Sequence, residues 1–96
     1  MSHYLKIDGM LAGTGIRDTY KGGYIEPKEL GLSDKVCQKI SDWLDRYHNE
    51  FYGQYQNKDV VEELDKEGIE ICKIVQSELP DAKIEYYSDA LLKVIV

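Results

Sequence analysis

The sequence predicts an α+β fold with two layers: two antiparallel helices packed on one face of a roughly three-stranded sheet, in the order β-loop-α-α-β-β. Two observations favour this class. Segments near both ends alternate apolar and polar residues, which is the period of a half-buried strand. Residues 33–79 instead repeat apolar residues every three or four positions, as amphipathic helices do. A chain of 96 residues suffices for one such core, so we expect a single domain over residues 1–96.

The first element is predicted to be a strand over residues 3–8, with Leu5 and Ile7 on its buried face and Gly9 at its end. Residues 9–31 follow and hold six of the eight glycines, which predicts a long loop with at most a short hairpin inside it. Pro27 argues against a helix in this stretch. Loops of this length are usually functional, although the sequence assigns this one no role.

The first helix is predicted to begin after Ser33, which can accept a hydrogen bond from a free N–H of the first turn. The apolar stripe of this helix comprises Val36, Ile40, Trp43, Leu44, Tyr47 and Phe51. Residues 52–58 break the pattern and connect it to a second helix, which Asp59 and Glu62 are expected to open at capping-box spacing. The second stripe comprises Val61, Leu64, Gly68, Ile71, Cys72, Val75 and Leu79, and Pro80 ends the helix.

Gly68 lies in the centre of the second stripe, where glycine costs about 1 kcal/mol relative to alanine. We expect it to permit the close approach of a large ring, with Trp43 as the candidate.

The chain is predicted to end in two strands. Residues 82–88 alternate, with Ile84 and Tyr86 on one face, and residues 88–90 resemble a tight turn. Residues 91–96 are apolar on nearly both faces. This indicates a central position in the sheet, or an outer face that meets a partner.

Residues that carry chemistry are sparse. Gly13-Thr14-Gly15 lacks the rest of a phosphate-binding motif, and the two histidines are isolated in the sequence. Cys37 and Cys72 have no metal-ligand spacing and are expected to be buried free thiols in a reducing compartment. We therefore expect no catalytic residues, no metal and no cofactor. An enzyme that uses tyrosines and carboxylates in the loop cleft is the least favoured alternative.

The absence of a long apolar run or a signal-peptide pattern predicts a cytoplasmic protein without a membrane span. Its net charge of −6 lies in residues 33–81, which carry twelve acidic and six basic side chains, while both flanks are balanced. A negative surface on the helices attracts basic partners and repels nucleic acid. The structural alternative is that acidic helices are only well solvated.

Two groups of residues are candidate partner contacts. The first is acidic and lies on the helix faces opposite the stripes: Glu63, Glu67 and Glu70 on the second helix, and Asp42 and Asp45 on the first. The second is aromatic, since eight tyrosines stand against one Phe and one Trp, and interfaces favour tyrosine. Its members are Tyr20 and Tyr24 in the glycine-rich loop and Tyr52 and Tyr55 in the helix connection.

Part of the chain, about residues 30–88, resembles small bacterial immunity proteins of polymorphic toxin systems, including those of contact-dependent growth inhibition. The similar segments are Leu30-Gly31-Leu32-Ser33, Trp43 with Tyr47, Phe51, Leu64-Asp65 with Gly68, Glu78-Leu79 and Ile84-Glu85-Tyr86-Tyr87. The resemblance implies a cytoplasmic protein that binds a cognate toxin domain, often a basic nuclease, and blocks its active site or substrate groove. It implies no catalytic residues.

The acidic charge independently favours such a partner, because an acidic surface can occupy a groove built for nucleic acid. The alternative is an acidic regulator, or nucleic-acid mimic, that binds a DNA- or RNA-handling host protein.

Overall fold

The computed structural model describes residues 3–96 and confirms the predicted α+β class. Its elements are β1 (Tyr4–Ile7), β2 (Ile16–Asp18), a 3₁₀ helix (Pro27–Leu30), α1 (Asp34–Tyr52), α2 (Lys58–Glu78), β3 (Lys83–Ser88) and β4 (Lys93–Val94). The sheet has four strands, one more than the sequence indicated, in the order β2-β1-β3-β4. The central strands β1 and β3 are parallel, and both outer pairs are antiparallel. The strand that follows the helices therefore returns beside the strand that precedes them.

The glycine-rich loop has more structure than its composition predicted. Residues 16–18 form β2, which pairs with β1 as a hairpin, and Arg17 makes a further isolated bridge to Tyr24. The expectation that Pro27 excludes a helix was wrong, because Pro27 begins the 3₁₀ helix. Proline suits a first helical position, where its fixed φ is already helical and its missing N–H would have no partner.

Both helices begin at side-chain caps. Ser33 Oγ accepts a hydrogen bond from Val36 N at 3.3 Å, as predicted for α1. In α2 the cap is Asn57, whose side chain accepts from Val60 N at 3.3 Å. The capping box expected at Asp59 was therefore wrong, and the helix starts slightly earlier because the amide of Asn57 already satisfies a free N–H.

The predicted apolar stripes form the core between the helices and the sheet. Trp43, Tyr47 and Tyr86 are fully buried, and Trp43 Nε1 donates to the carbonyl of Leu64 at 2.8 Å, which ties α1 to α2. The stripes are less buried at their ends, where Phe51 is 40% exposed. Within the described residues both cysteines are free. Cys72 is buried, and this burial raises the pKa of its thiol to about 12.

The end of the chain differs from its prediction. The turn occupies residues 89–92, and β4 is a two-residue exposed strand at the sheet edge, not a central one. The backbone N–H groups of Ala90 and Leu91 donate to Tyr47 Oη and Ser88 Oγ, both at 3.1 Å. Leu92 adopts a left-handed φ of 57°. These contacts hold the chain in a turn where apolar composition alone predicted a strand.

Gly68 permits a close ring contact, as expected, but the ring belongs to Tyr86 and not to Trp43. A Cβ at Gly68 would overlap Tyr86 Cε1 and lie 2.6 Å from Tyr86 Cζ. Trp43 instead packs against Tyr86, in a T-shaped pair whose ring centroids are 6.1 Å apart. The sequence could not select between the two rings, because the choice depends on how the sheet docks on α2.

Replacement of Gly68 by alanine is expected to destabilise the fold by about 1–3 kcal/mol, because Tyr86 is fully buried and cannot move away. This cost exceeds the gain of about 1 kcal/mol in helix propensity. The measurement is the urea unfolding midpoint of Gly68→Ala beside that of Gly53→Ala. A Cβ at Gly53 would meet its nearest atom at an ordinary 3.6 Å. Equal midpoints for Gly68→Ala and the wild type would contradict the contact.

Candidate functional site

The main surface feature of the helical layer is a groove between α1 and α2 with a volume of about 870 Å³. Its polar lining is predominantly acidic: Glu50, Asp59, Glu63, Glu67 and Glu70 against Lys39, Arg46 and Lys66. Val60, Leu64 and Ile69 supply apolar surface between these charges. We call this surface the acidic groove; it combines negative charge with apolar area.

The three glutamates predicted on α2 all line this groove, but they are not equivalent. Glu63 and Glu70 have side chains 76% and 64% exposed, and their nearest cations are lysines of the same helix at 3.7 and 3.6 Å. Exposed pairs of this kind contribute little stability. Glu67 is only 24% exposed and accepts a hydrogen bond from Arg46 Nη2 at 2.6 Å. It therefore joins the two helices, whereas Glu63 and Glu70 leave their charges available.

Of the two aspartates predicted on α1, only one lies beside the groove. Asp42 lies beside the acidic groove, in a shallow extension that it shares with Arg46 and Glu67, and accepts from Gln38 Nε2 at 2.9 Å. Asp45 is exposed but lies outside the residues that line the groove. The two residues are three positions apart and therefore neighbours on one helix face, but only Asp42 lies near enough to α2 to line the extension of the groove.

The four predicted tyrosines also divide into two kinds. Tyr20 and Tyr52 are 74% and 72% exposed, which leaves their rings open to a partner. Tyr24 and Tyr55 are half-buried, and their hydroxyls donate to Asp8 and Asp89. The first pair can supply contact area, whereas the second pair is already engaged inside the fold.

A buried polar network that sequence reasoning missed lies between α2 and β3. Asp65 accepts hydrogen bonds from Tyr86 Oη at 2.5 Å, from Tyr47 Oη at 2.9 Å and from Ser88 Oγ at 2.8 Å. Burial raises the pKa of Tyr47 to about 12 and that of Tyr86 still further, so both remain donors at neutral pH. The available signal was the position of Asp65 directly after Leu64, at the edge of the apolar stripe.

A second missed cluster lies beside the β1–β2 hairpin. Asp8 is 1% exposed and accepts from Tyr24 Oη at 2.9 Å and from Met10 N at 3.2 Å. Arg17 Nε lies 3.5 Å from the other oxygen of Asp8, and Arg17 Nη2 donates to Tyr24 Oη at 2.8 Å. Burial nevertheless raises the pKa of the Asp8 carboxyl. The cluster holds the start of the glycine-rich loop against the hairpin.

Residues 3–96 contain no group of three or more His, Cys, Asp or Glu side chains placed to hold a metal ion. No helix of this described part is long and apolar enough to cross a membrane.

The raised pKa of Asp8 has a consequence for stability. A carboxyl whose folded-state pKa lies above its ordinary value of 3.8 contributes stability below that pH and loses it as pH rises through the folded-state pKa. Asp8→Asn cannot ionise, yet its carbonyl can still accept from Tyr24. The unfolding free energy of the wild type, relative to Asp8→Asn, is therefore expected to fall as pH rises from below 3.8 to neutrality. Urea titrations across this range measure it, and a rise instead would show that Arg17 outweighs desolvation.

Comparison with known proteins places these features in a family. A family model described as Serratia CdiI immunity protein-like matches residues 11–89, most of the chain. No curated protein and no solved structure matches the chain. The match confirms the resemblance noted in the sequence and extends it into the glycine-rich loop, which that resemblance had not covered. The chain belongs to the Serratia CdiI immunity protein-like family, whose members are immunity proteins of contact-dependent growth inhibition that act against a cognate toxin.

Proposed function

We propose that this immunity protein neutralises a toxin domain with nuclease activity by laying its acidic groove over the toxin's substrate-binding surface. The observation that carries the proposal is the concentration of the whole net charge of −6 in residues 33–81, the region that contains both helices. We further propose that it acts as a single binding domain in the cytoplasm, without catalysis or cofactor.

The physical basis is charge complementarity. A nuclease must attract a polyanion, so its substrate groove carries basic side chains. An acidic protein surface carries the same sign of charge as nucleic acid, so the same groove attracts it. This attraction raises the association rate, and the bound protein then excludes nucleic acid from the site. Membership of the immunity family makes a toxin the partner, and the charge of the helices supports a basic one.

The structure suggests which residues make this contact. Glu63, Glu70 and Asp42 present charges at the groove, while Glu67 contributes chiefly through its pair with Arg46. We also propose that the exposed rings of Tyr20 and Tyr52 contact the toxin at the margins of the interface. We expect smaller contributions from Asp45, which lies outside the groove, and from Tyr24 and Tyr55, whose hydroxyls are already bonded within the fold.

Reversal of charge at Glu63 and Glu70 is expected to slow association with the cognate toxin domain by about 10-fold at low salt, because both charges act on the approaching partner. The matched control is Glu29→Lys with Asp81→Lys, at two exposed positions away from the groove. Both double variants change the net charge from −6 to −2, since each reversal adds two charges. Stopped-flow association rates at several salt concentrations measure the effect.

If the toxin binds at the acidic groove, the Glu63→Lys, Glu70→Lys variant associates more slowly than the control variant. The difference between the two association rates is expected to shrink as salt rises. Thermal stability is expected to stay near that of the wild type, since Glu67 is left in place. Equal rates for the two double variants would overturn the assignment of the acidic groove.

The occlusion mechanism predicts that nucleic acid and the immunity protein compete for the toxin. Addition of the immunity protein is expected to stop cleavage of DNA or RNA at a one-to-one ratio and to release a labelled oligonucleotide from a catalytically inactive toxin variant. Fluorescence anisotropy measures this release. A stable ternary complex would contradict occlusion, and a toxin that cleaves neither DNA nor RNA would contradict the nuclease assignment.

A further inference from the structure

The two outer edges of the sheet differ in what covers them. The outer edge of β2 is closed by the glycine-rich loop, which folds back along it. Ile25 N–H donates to the carbonyl of Ile16 at 3.0 Å, and Asp18 N–H donates to the carbonyl of Gly23 at 2.7 Å. The opposite edge is β4, and within residues 3–96 no strand pairs with its outer side. The sheet therefore has one closed edge and one open edge.

The backbone of Val94 offers a donor and an acceptor at the open edge. Ile95 N–H donates to the carbonyl of Tyr86 at 2.9 Å, and Tyr86 N–H donates to the carbonyl of Val96 at 3.0 Å. Hydrogen-bonded and non-hydrogen-bonded pairs alternate along an antiparallel ladder. The adjacent pair, Tyr87 with Val94, is therefore of the second kind, and the N–H and C=O of Val94 point away from β3. Groups in this position can pair with another strand.

Apolar side chains accompany these backbone groups. Five aliphatic residues that are between 39% and 72% exposed lie in this part of the chain, and we call them the β4 edge patch: Leu91, Leu92, Val94, Ile95 and Val96. Leu92 is the most exposed of them and has the left-handed φ of 57°, a conformation unfavourable for leucine. Packing inside the fold does not offset this cost, because most of the side chain is exposed. A contact with a partner would offset it.

The distribution of charge indicates which partner fits the β4 edge patch. Residues 82–96 carry two basic and two acidic side chains, so the net charge of −6 lies elsewhere. The flank of α2 beside the turn is also balanced, with Lys58 and Lys66 against Glu62 and Asp65. Such a surface does not attract a basic toxin. Two copies of this acidic chain, in contrast, can meet here without bringing their acidic grooves together.

We propose that two copies of the protein form a dimer in which their β4 strands pair in antiparallel fashion across a two-fold axis. At this axis the Val94 residues of the two copies exchange both backbone hydrogen bonds, because each has one outward donor and one outward acceptor. The two β4 edge patches then cover each other, and the two sheets become one sheet of eight strands. A two-fold interface requires a self-complementary surface, and the open edge meets this requirement.

The dimer leaves the acidic groove free. The groove lies on the side of α2 that faces α1, whereas the β4 edge patch lies beyond the other flank of α2. Each copy can therefore bind one toxin domain, which gives a complex of two immunity proteins and two toxins. The dimer does not depend on the activity of the toxin, so it goes beyond the proposed function and can be tested without a toxin.

Sedimentation velocity of the protein alone tests the dimer. The weight-average mass is expected to rise from the monomer value of 11.1 kDa toward twice that value. The concentration is raised from about 1 µM to about 1 mM, which covers weak association. Over the same range the amide of Val94 is expected to become protected from hydrogen exchange, because its N–H is then bonded across the axis. A constant monomer mass would overturn the proposal.

The variant Val94→Pro removes the outward donor. It leaves the hydrogen bonds between β3 and β4 in place, since proline is tolerated on an edge strand where its nitrogen faces solvent. Dimerisation is expected to weaken by about 10-fold or more, because the dimer loses two hydrogen bonds. The matched control, Val94→Ile, keeps the N–H and the apolar surface and is expected to dimerise as the wild type does. Equal dimerisation of the two variants would overturn the pairing at Val94.

A second variant, Leu92→Asn, is available if the urea midpoint shows that Val94→Pro does not fold. Asparagine adopts a left-handed φ more readily than leucine, so the folding stability of Leu92→Asn is expected to equal or exceed that of the wild type. The loss of an apolar contact is nevertheless expected to weaken dimerisation. Dimerisation equal to that of the wild type would overturn the role of the β4 edge patch.

A strand of the toxin is the other occupant that an open edge could accept. If the wild type stays monomeric and Val94→Pro weakens toxin binding, the edge belongs to the toxin and the dimer is overturned. A dimer that persists in Val94→Pro and in Leu92→Asn would place the interface between copies elsewhere and would also overturn the proposal. Neither result affects the acidic groove, which the Glu63→Lys, Glu70→Lys variant tests separately.

Discussion

The contact of Tyr86 with α2 is the interaction on which the rest of the structure depends. Its ring lies where a Cβ of residue 68 would be, so the sheet can approach the helix only because that residue is glycine. Its hydroxyl donates to Asp65 on the same helix. One side chain thus sets both the distance between the layers and the position of the polar network, and every surface built on α2 follows from it.

This arrangement gives α2 two different flanks. One flank meets α1 across the acidic groove, where Glu67 and Arg46 close an ion pair between the helices. The other flank meets the turn of residues 89–92, where Asp65 is buried while Lys58, Glu62 and Lys66 are exposed. Salt screens the exposed charges strongly and the buried carboxyl much less.

The turn that ends the fold shows how buried polar groups determine an exposed surface. Apolar composition predicts a continuous strand over residues 91–96, but hydroxyls from α1 and β3 capture two backbone N–H groups and hold the chain in a turn. The result is an exposed leucine pair beside a short edge strand. Exposed apolar side chains reduce solubility. A role in binding would explain why these leucines are nevertheless exposed.

The sequence by itself determined the α+β class, the two helices and their apolar stripes, because these depend on local periodicity and on caps such as Ser33. It also determined the acidic character of the helices and the family resemblance. Only the tertiary structure decided which ring meets Gly68, that Glu67 pairs across the two helices while Glu63 pairs only within its own helix, and that Asp65 lies buried among hydroxyls. These outcomes depend on how distant segments pack together, and local patterns carry no information about contacts between residues far apart in the chain.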